Sequence, residues 1–141
     1  MRSARGFTLI ELLVVIIVLG LLASLVGPQI VRHVSEAKSA TARTQIDLFG
    51  VALDSYRLDN GSYPTTEQGL DALRRKPSRD PVPPNWRGPY IRKDVPQDPW
   101  GRPYRYVSPA AAAAGGGYEL GSLGKDGKPG GEGEDADVGG S

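Results

Sequence analysis

The chain has 141 residues, a length at which a single domain is the default expectation, and 39% of these residues are hydrophobic. It contains no cysteine, which excludes disulfide bonds and leaves the redox compartment undetermined. The formal net charge is +1, so overall charge gives no argument for nucleic acid as a partner.

An apolar segment from Phe7 to Val26 lies near the start of the chain. Its length, about 20 residues, is what a helix needs to cross a hydrocarbon core of about 30 Å. Arg2 and Arg5 precede the segment, so the positive-inside rule predicts a cytoplasmic N-terminus and places everything after Val26 on the other side. The stretch "LLASLVG" at the end of the segment matches a secretory cleavage site poorly. We therefore predict one membrane span.

The helical pattern continues beyond this span. Five apolar residues are spaced four, three, four and three apart, the period of an amphipathic helix: Ala42, Ile46, Phe49, Leu53 and Tyr56. Pro28 is expected to kink the helix without necessarily ending it. The sequence Asp59-Asn60-Gly61 predicts the end, because Asn and Gly tolerate the left-handed conformation that closes helices. One long helix is predicted, half in lipid and half with an apolar stripe to bury.

Glu11 is a carboxylate inside the apolar segment. At the centre of a membrane such a side chain costs roughly 2.5 to 3.5 kcal/mol on insertion scales, which makes it a functional candidate. It lies only four residues after Phe7, however, so it could simply sit near the headgroups. Position alone leaves both interpretations open.

A capping signature follows the long helix. Thr65 and Gln68 have the T-x-x-Q spacing in which each side chain bonds the other residue's backbone N–H. The pattern predicts a short helix whose Leu70 and Leu73 can face the long helix.

Turn and strand signals occupy the later part of the chain. Residues 98–101 read Asp-Pro-Trp-Gly, the signature of a type I turn. Residues 104–107 and 118–120 alternate in character and predict strands. A small antiparallel sheet packed on the amphipathic half of the long helix gives an α+β fold.

Two segments between these elements predict loops. Residues 74–93 carry seven basic side chains against Asp80 alone, and Trp86 and Tyr90 could stack on nucleic-acid bases. A charge run of this kind is more often a solvated loop, so we predict a surface loop and no nucleic-acid partner. Residues 110–117, "AAAAAGGG", predict a flexible loop between two strands.

The sequence offers little for catalysis. His33 is the only histidine, lies on the presumed helix and has no cysteine to activate. A serine triad would need a geometry that the sequence does not show, and nothing suggests a pocket around the carboxylates of the C-terminal region. We predict that the protein is not an enzyme.

The stretch "GSLGKDGKPGGEGEDAD", residues 121–137, combines a glycine at every third position with acidic residues. A P-loop is excluded, because Glu119 stands where its first glycine is required and Asp126 where its hydroxyl is required. Collagen is excluded, because five triplets with one proline are too few. The residues alone leave two interpretations open, a disordered acidic tail and a calcium site held by carboxylates and backbone carbonyls.

The N-terminal stretch "RGFTLIELLVVIIVLGLLASLVGP" resembles the class III signal and first helix of the type IV pilin superfamily. The resemblance implies that a prepilin peptidase cuts between Gly6 and Phe7 and methylates the new N-terminus. It also implies that Glu11 neutralises the amine of a neighbouring subunit's Phe7 as helices enter a growing fibre.

Two further stretches, "YRLDNGSYPTTEQGLDALRRKP" and "DPWGRPYRYVSP", are similar to the G-type pseudopilins of type II secretion. The resemblance implies a pilin-like fold with a C-terminal metal-binding loop. It divides the chain into a leader peptide at residues 1–6, a transmembrane and assembly helix at 7–30 and a periplasmic domain at 31–141. The implied location is the bacterial inner membrane, crossed once.

The same resemblance implies a structural role and a set of partners. The chain would form a homopolymer, the pseudopilus, that drives protein export across the outer membrane. Prepilin peptidase, minor pseudopilins and the inner-membrane secretion platform would be its partners. The alternative is a major type IV pilin for adhesion, motility or DNA uptake, although many such pilins contain a disulfide that this chain cannot form. A single-span anchor with a calcium-binding module is the third interpretation.

Calcium ligands are implied by the match of the C-terminal stretch to the G-type loop. By position, Asp126 would be the early side-chain ligand and the carbonyl of Leu123 a backbone ligand. Glu134 and Asp135 fall where later acidic ligands are expected, followed by Asp137. The implied cofactor is Ca²⁺.

Overall fold

The computed structural model describes residues 6–109 and 116–140. The described chain forms two compact units that divide between Glu36 and Ala37. The predicted leader before residue 6 and most of the predicted loop at 110–117 lie outside the described residues. The assignment of domains at 1–6, 7–30 and 31–141 stays a prediction.

The predicted long helix is confirmed. Helix α1 spans Leu9–Asn60, 52 residues, and continues through Pro28. It ends where the Asp59-Asn60-Gly61 signal places its end, and the N–H of Gly61 donates to the carbonyl of Arg57 at 2.7 Å.

The first unit consists of the apolar part of α1. Its large apolar side chains are exposed, from Phe7 at 84% to Val34 at 47%. Within the described residues α1 is the helix that is long and apolar enough to cross a membrane. Water would disfavour so large an apolar surface, so this part of the helix requires lipid or protein around it.

In the second unit, the predicted stripe of α1 faces a hydrophobic core. Phe49, Leu53 and Tyr56 are buried with Ala42, and Ile46 is half-buried against them. The period-3.6 pattern therefore identified the packed face correctly.

A three-stranded antiparallel sheet completes the second unit, in the order β1–β2–β3. Its strands are β1 (Arg105–Val107), β2 (Glu119–Ser122) and β3 (Val138–Gly139). The first two strands confirm the predicted ones with shifted ends, whereas β3 was not predicted. A methyl group at Gly121 would lie 2.9 Å from the carbonyl oxygen of Val138, which explains why a glycine stands opposite β3.

Aromatic residues join the sheet to the helix. The rings of Phe49 and Tyr104 meet edge to face, with centroids 5.4 Å apart. Tyr106 is buried, and its hydroxyl donates to the carbonyl of Pro64 at 2.8 Å. The phenol O–H of Tyr106 thus has a partner inside the core.

The predicted capping box is also present. The N–H of Thr65 donates to Oε1 of Gln68 at 3.1 Å, and the N–H of Gln68 donates to Oγ1 of Thr65 at 3.3 Å. A short 3-10 helix, Leu70–Leu73, follows, and both of its leucines are buried.

The aromatic residues of the basic loop pack inside the fold. The indole N–H of Trp86 donates to the carbonyl of Ala72 at 2.9 Å, and the Tyr90 hydroxyl donates to Asp59 at 2.9 Å. Their rings lie 5.7 Å apart. Both rings are therefore used to attach this loop to the core.

Candidate functional site

The predicted processing site precedes the helix. Residues 6–8 have no regular secondary structure, and Gly6 and Phe7 are exposed. A peptide bond in such a segment reaches a protease without unwinding a helix first. The arrangement is compatible with cleavage between Gly6 and Phe7, which stays a prediction.

Glu11 lies in the first turn of α1 and bonds back to Thr8. The N–H of Thr8 donates to Oε2 of Glu11 at 3.4 Å, and the N–H of Glu11 donates to Oγ1 of Thr8 at 3.3 Å. This is a capping box, T-x-x-E, that satisfies two backbone donors at the helix start. The T-x-x-E spacing was present in the sequence, but a capping box was not predicted there.

The C-terminal loop, residues 123–137, folds back on itself. The N–H of Lys125 donates to the carbonyl of Glu134 at 2.8 Å. A methyl group at Gly124 would lie 2.8 Å from the carbonyl oxygens of both Glu134 and Ala136. Backbone carbonyls of the second half of the loop thus converge on the first half.

Three of the predicted ligand carboxylates accept hydrogen bonds within the loop. Asp126 accepts from the N–H of Lys128 at 3.0 Å, and Asp137 accepts from the N–H of Gly130 at 2.9 Å. Glu134 accepts from the ammonium of Lys125. Each of these bonds uses one carboxylate oxygen.

The ion pair between Lys125 and Glu134 shifts the pKa of both groups. The hydrogen bond from the ammonium lowers the pKa of Glu134, and the same bond raises the pKa of Lys125. Both groups therefore stay charged over a wide pH range. Sequence composition did not predict this pair, because it forms only once the loop closes.

The structure brings the predicted ligands together only in part. Leu123 and Asp137 line one shallow cavity, and Asp135 lies in a 3-10 turn, Gly133–Asp135. Among residues 6–109 and 116–140, no group of three His, Cys, Asp or Glu side chains is arranged to hold a metal ion. The available donors are carboxylate and carbonyl oxygens on a glycine-rich backbone. Oxygen donors of this type are the ones that the hard cation Ca²⁺ prefers.

Comparison with known families gives two matches that together cover nearly the whole chain. Residues 29–141 match the family "Type II secretion system (T2SS), protein G". Residues 1–27 match the "Prokaryotic N-terminal methylation motif".

Similar proteins align with almost the full length of this chain. A "Type II secretion system core protein G" of Pseudomonas aeruginosa is 48% identical over 98% of this chain and 95% of its own length. The protein of the same name from Vibrio cholerae is 47% identical over 99% of this chain and 92% of its own. The major pseudopilin from the type 2 secretion system of enterohaemorrhagic Escherichia coli is similar in structure. Its TM-score is 0.62 at 41% identity, covering 74% of this chain and 86% of that one.

Proposed function

This chain belongs to the type II secretion system protein G family, and from that premise we propose how its residues build a pseudopilus. It is a major pseudopilin, a structural subunit that carries an N-terminal methylation motif. Cleavage between Gly6 and Phe7 exposes a new amino terminus, and the chain then polymerises through α1. The observation that carries this proposal is an exposed apolar helix whose first turn presents Glu11.

Charge explains why Glu11 would direct assembly. After cleavage at Gly6, the amine of Phe7 is a positive charge close to an apolar surface. A carboxylate and an amine taken out of water each carry a desolvation cost, which is offset only when the two are paired. Pairing Glu11 with the Phe7 amine of a neighbouring subunit therefore favours one axial register over others.

The proposal includes a location and partners. The apolar part of α1 holds the precursor in the inner membrane, with the second unit in the periplasm. Prepilin peptidase processes it, and minor pseudopilins and the inner-membrane secretion platform act with the growing homopolymer. The role is structural rather than catalytic.

Two substitutions, one at Glu11 and one at Thr8, test the assembly proposal. Glu11→Gln keeps an oxygen that can accept the capping bonds but removes the charge, whereas Thr8→Val removes the capping hydroxyl and keeps the charge. We expect Glu11→Gln to enter the membrane yet form no fibres by electron microscopy, and Thr8→Val to form them. Normal fibres from Glu11→Gln would contradict the charge pairing.

Calcium binding by the C-terminal loop is the second part of the proposal. The all-oxygen donor set supports it, with Leu123 offering a carbonyl and Asp126, Glu134, Asp135 and Asp137 offering carboxylates. When bound, calcium would supply a positive charge that lets several acidic groups coexist in one loop.

A thermal shift tests the calcium proposal. The full chain in detergent is melted with calcium and with chelator, and a hundredfold excess over the dissociation constant stabilises the folded state by about 2.7 kcal/mol. We expect the double variant Asp126→Ala, Asp135→Ala to lose the shift. Glu132→Ala, an acidic residue of the same loop outside the proposed ligand set, should keep it. An equal shift in the double variant would contradict the ligand assignment.

A further inference from the structure

Asp98 is a buried carboxylate, 4% exposed, at the start of the predicted turn. Its Oδ1 accepts the N–H groups of Trp100 at 3.0 Å and Arg102 at 2.8 Å. Its Oδ2 accepts the hydroxyl of Ser122 at 2.5 Å. All three donors are thereby fixed around one side chain, as expected for a buried charge.

Ser122 carries this arrangement into the C-terminal loop. Its hydroxyl oxygen accepts the N–H of Gly124 at 3.2 Å, and the residue is 1% exposed. The carbonyl of Leu123 and this N–H of Gly124 belong to the same planar peptide group. Asp98 thus acts on the position of that carbonyl through one hydroxyl group.

Arg102 provides a second connection. Asp98 holds its backbone, since the N–H of Asp98 also donates to the carbonyl of Arg102 at 2.7 Å. The guanidinium donates from Nε and Nη2 to the carbonyl of Lys125 at 3.2 and 3.1 Å. It also lies against Gly127, where a methyl group would be 2.5 Å from Nη1. Arg102 therefore bonds the residue before Asp126 and packs against the residue after it.

We propose that Asp98, acting through Ser122 and Arg102, is the positioning residue that shapes the first half of the calcium loop before the cation binds. This inference rests on the calcium binding proposed above. Ligand placement before binding reduces the ordering that binding must impose, and groups that orient metal ligands typically contribute 10- to 100-fold in affinity.

The direction in which calcium affinity changes distinguishes a positioning role from a purely electrostatic one. Arg102 is positive, so its removal would strengthen the binding of a divalent cation if only Coulomb attraction acted. Positioning predicts the opposite, a weaker complex. Ser122→Ala is neutral and changes no charge at all, so any loss of affinity there comes from the lost hydroxyl.

Calcium titration of the full chain in detergent tests the inference. We expect Ser122→Ala and Arg102→Ala each to raise the Kd at least about tenfold. The matched control is Arg92→Ala, which removes the same charge from an exposed arginine of the basic loop and should change the Kd little. Terbium in place of calcium gives a second readout, since its luminescence lifetime should report more bound water in both variants.

The outcomes distinguish the two proposals. If the wild-type chain binds calcium and both variants bind it equally well, the positioning role is overturned while the calcium site stands. Tighter binding by Arg102→Ala has the same meaning. If the wild-type chain binds no calcium, the site and its positioning residue are both rejected. Arg102 is a surface residue, so its variant decides the matter even if Ser122→Ala folds poorly.

Discussion

The ammonium of Lys125 lies 2.9 Å from the carboxylate of Glu134. A proposed calcium ligand is thus already paired with a cation that the chain itself provides. Calcium must either displace this ammonium or share the carboxylate with it, because like charges near one site repel.

Removal of Lys125 should therefore strengthen calcium binding. We expect Lys125→Ala to lower the Kd about threefold or more, because the ammonium is then no longer there to compete for Glu134 or to repel the cation. Lys128→Ala removes the same charge from the same loop and should have the smaller effect, because Glu134 keeps its ion pair there. Calorimetric titration of both variants measures the difference, and equal affinities would argue against Glu134 as a ligand.

Two adjacent glycines allow the energetic cost of backbone strain to be distinguished from that of a steric clash. Gly130 and Gly131 both have positive φ, +87° and +97°. A methyl group at Gly130 meets nothing within 4 Å, whereas one at Gly131 would lie 2.5 Å from the carbonyl oxygen of Asp135. We expect Gly130→Ala to lower the free energy of unfolding by about 1–2 kcal/mol and Gly131→Ala to lower it clearly more. Urea denaturation in the presence of chelator compares the two variants. Equal losses of unfolding free energy would mean that the loop moves to make room for the methyl group at residue 131 without cost.

Stability should fall in alkaline solution because of the buried tyrosines. Burial, and secondarily the Asp98 carboxylate, raises the pKa of Tyr104 from 10.0 to about 12. The unfolded chain releases this proton at lower pH than the folded chain, so the stabilisation is complete below pH 10.0 and is lost as pH rises towards about 12. Urea denaturation at about pH 8, 10 and 11 should show a shallower fall for Tyr104→Phe. Burial also raises the pKa of Tyr106, so part of the fall should remain.

The two faces of α1 should differ in their sensitivity to truncation. Leu53 is fully buried at 0% exposure, whereas Leu58, five residues later on the same helix, is 86% exposed. We expect Leu53→Ala to lower the free energy of unfolding by about 2–5 kcal/mol, because it leaves a cavity in the core. Leu58→Ala serves as the control and should change stability within about 0.5 kcal/mol. Similar losses for both would contradict the packing of the helix.

Local signals in the sequence predicted the elements that local physics determines. The stripe containing Phe49 and Leu53 follows from helical spacing, and the Thr65–Gln68 box requires only residues three positions apart. Burial and capping of this kind depend on the nearest turn of the chain, so they can be read before the fold is known.

The remaining features depend on residues that only folding brings together. Strand β3 has two residues, one of them Gly139, and such a segment carries no alternation to detect. Ser122 is 24 positions from Asp98, and the Asp-Pro-Trp-Gly signature gives no indication of that partner. The ion pair between Lys125 and Glu134 could not be predicted from the sequence for the same reason.

The bonds between Thr8 and Glu11, at 3.3 and 3.4 Å, are at the long end of hydrogen-bond geometry. A bond of that length contributes little, so Glu11 can turn away from its own helix at small cost. The carboxylate that caps the start of the helix in a single chain is therefore only loosely held there. Exchange of that weak internal partner for a charged one on a neighbour would favour the fibre over the isolated chain.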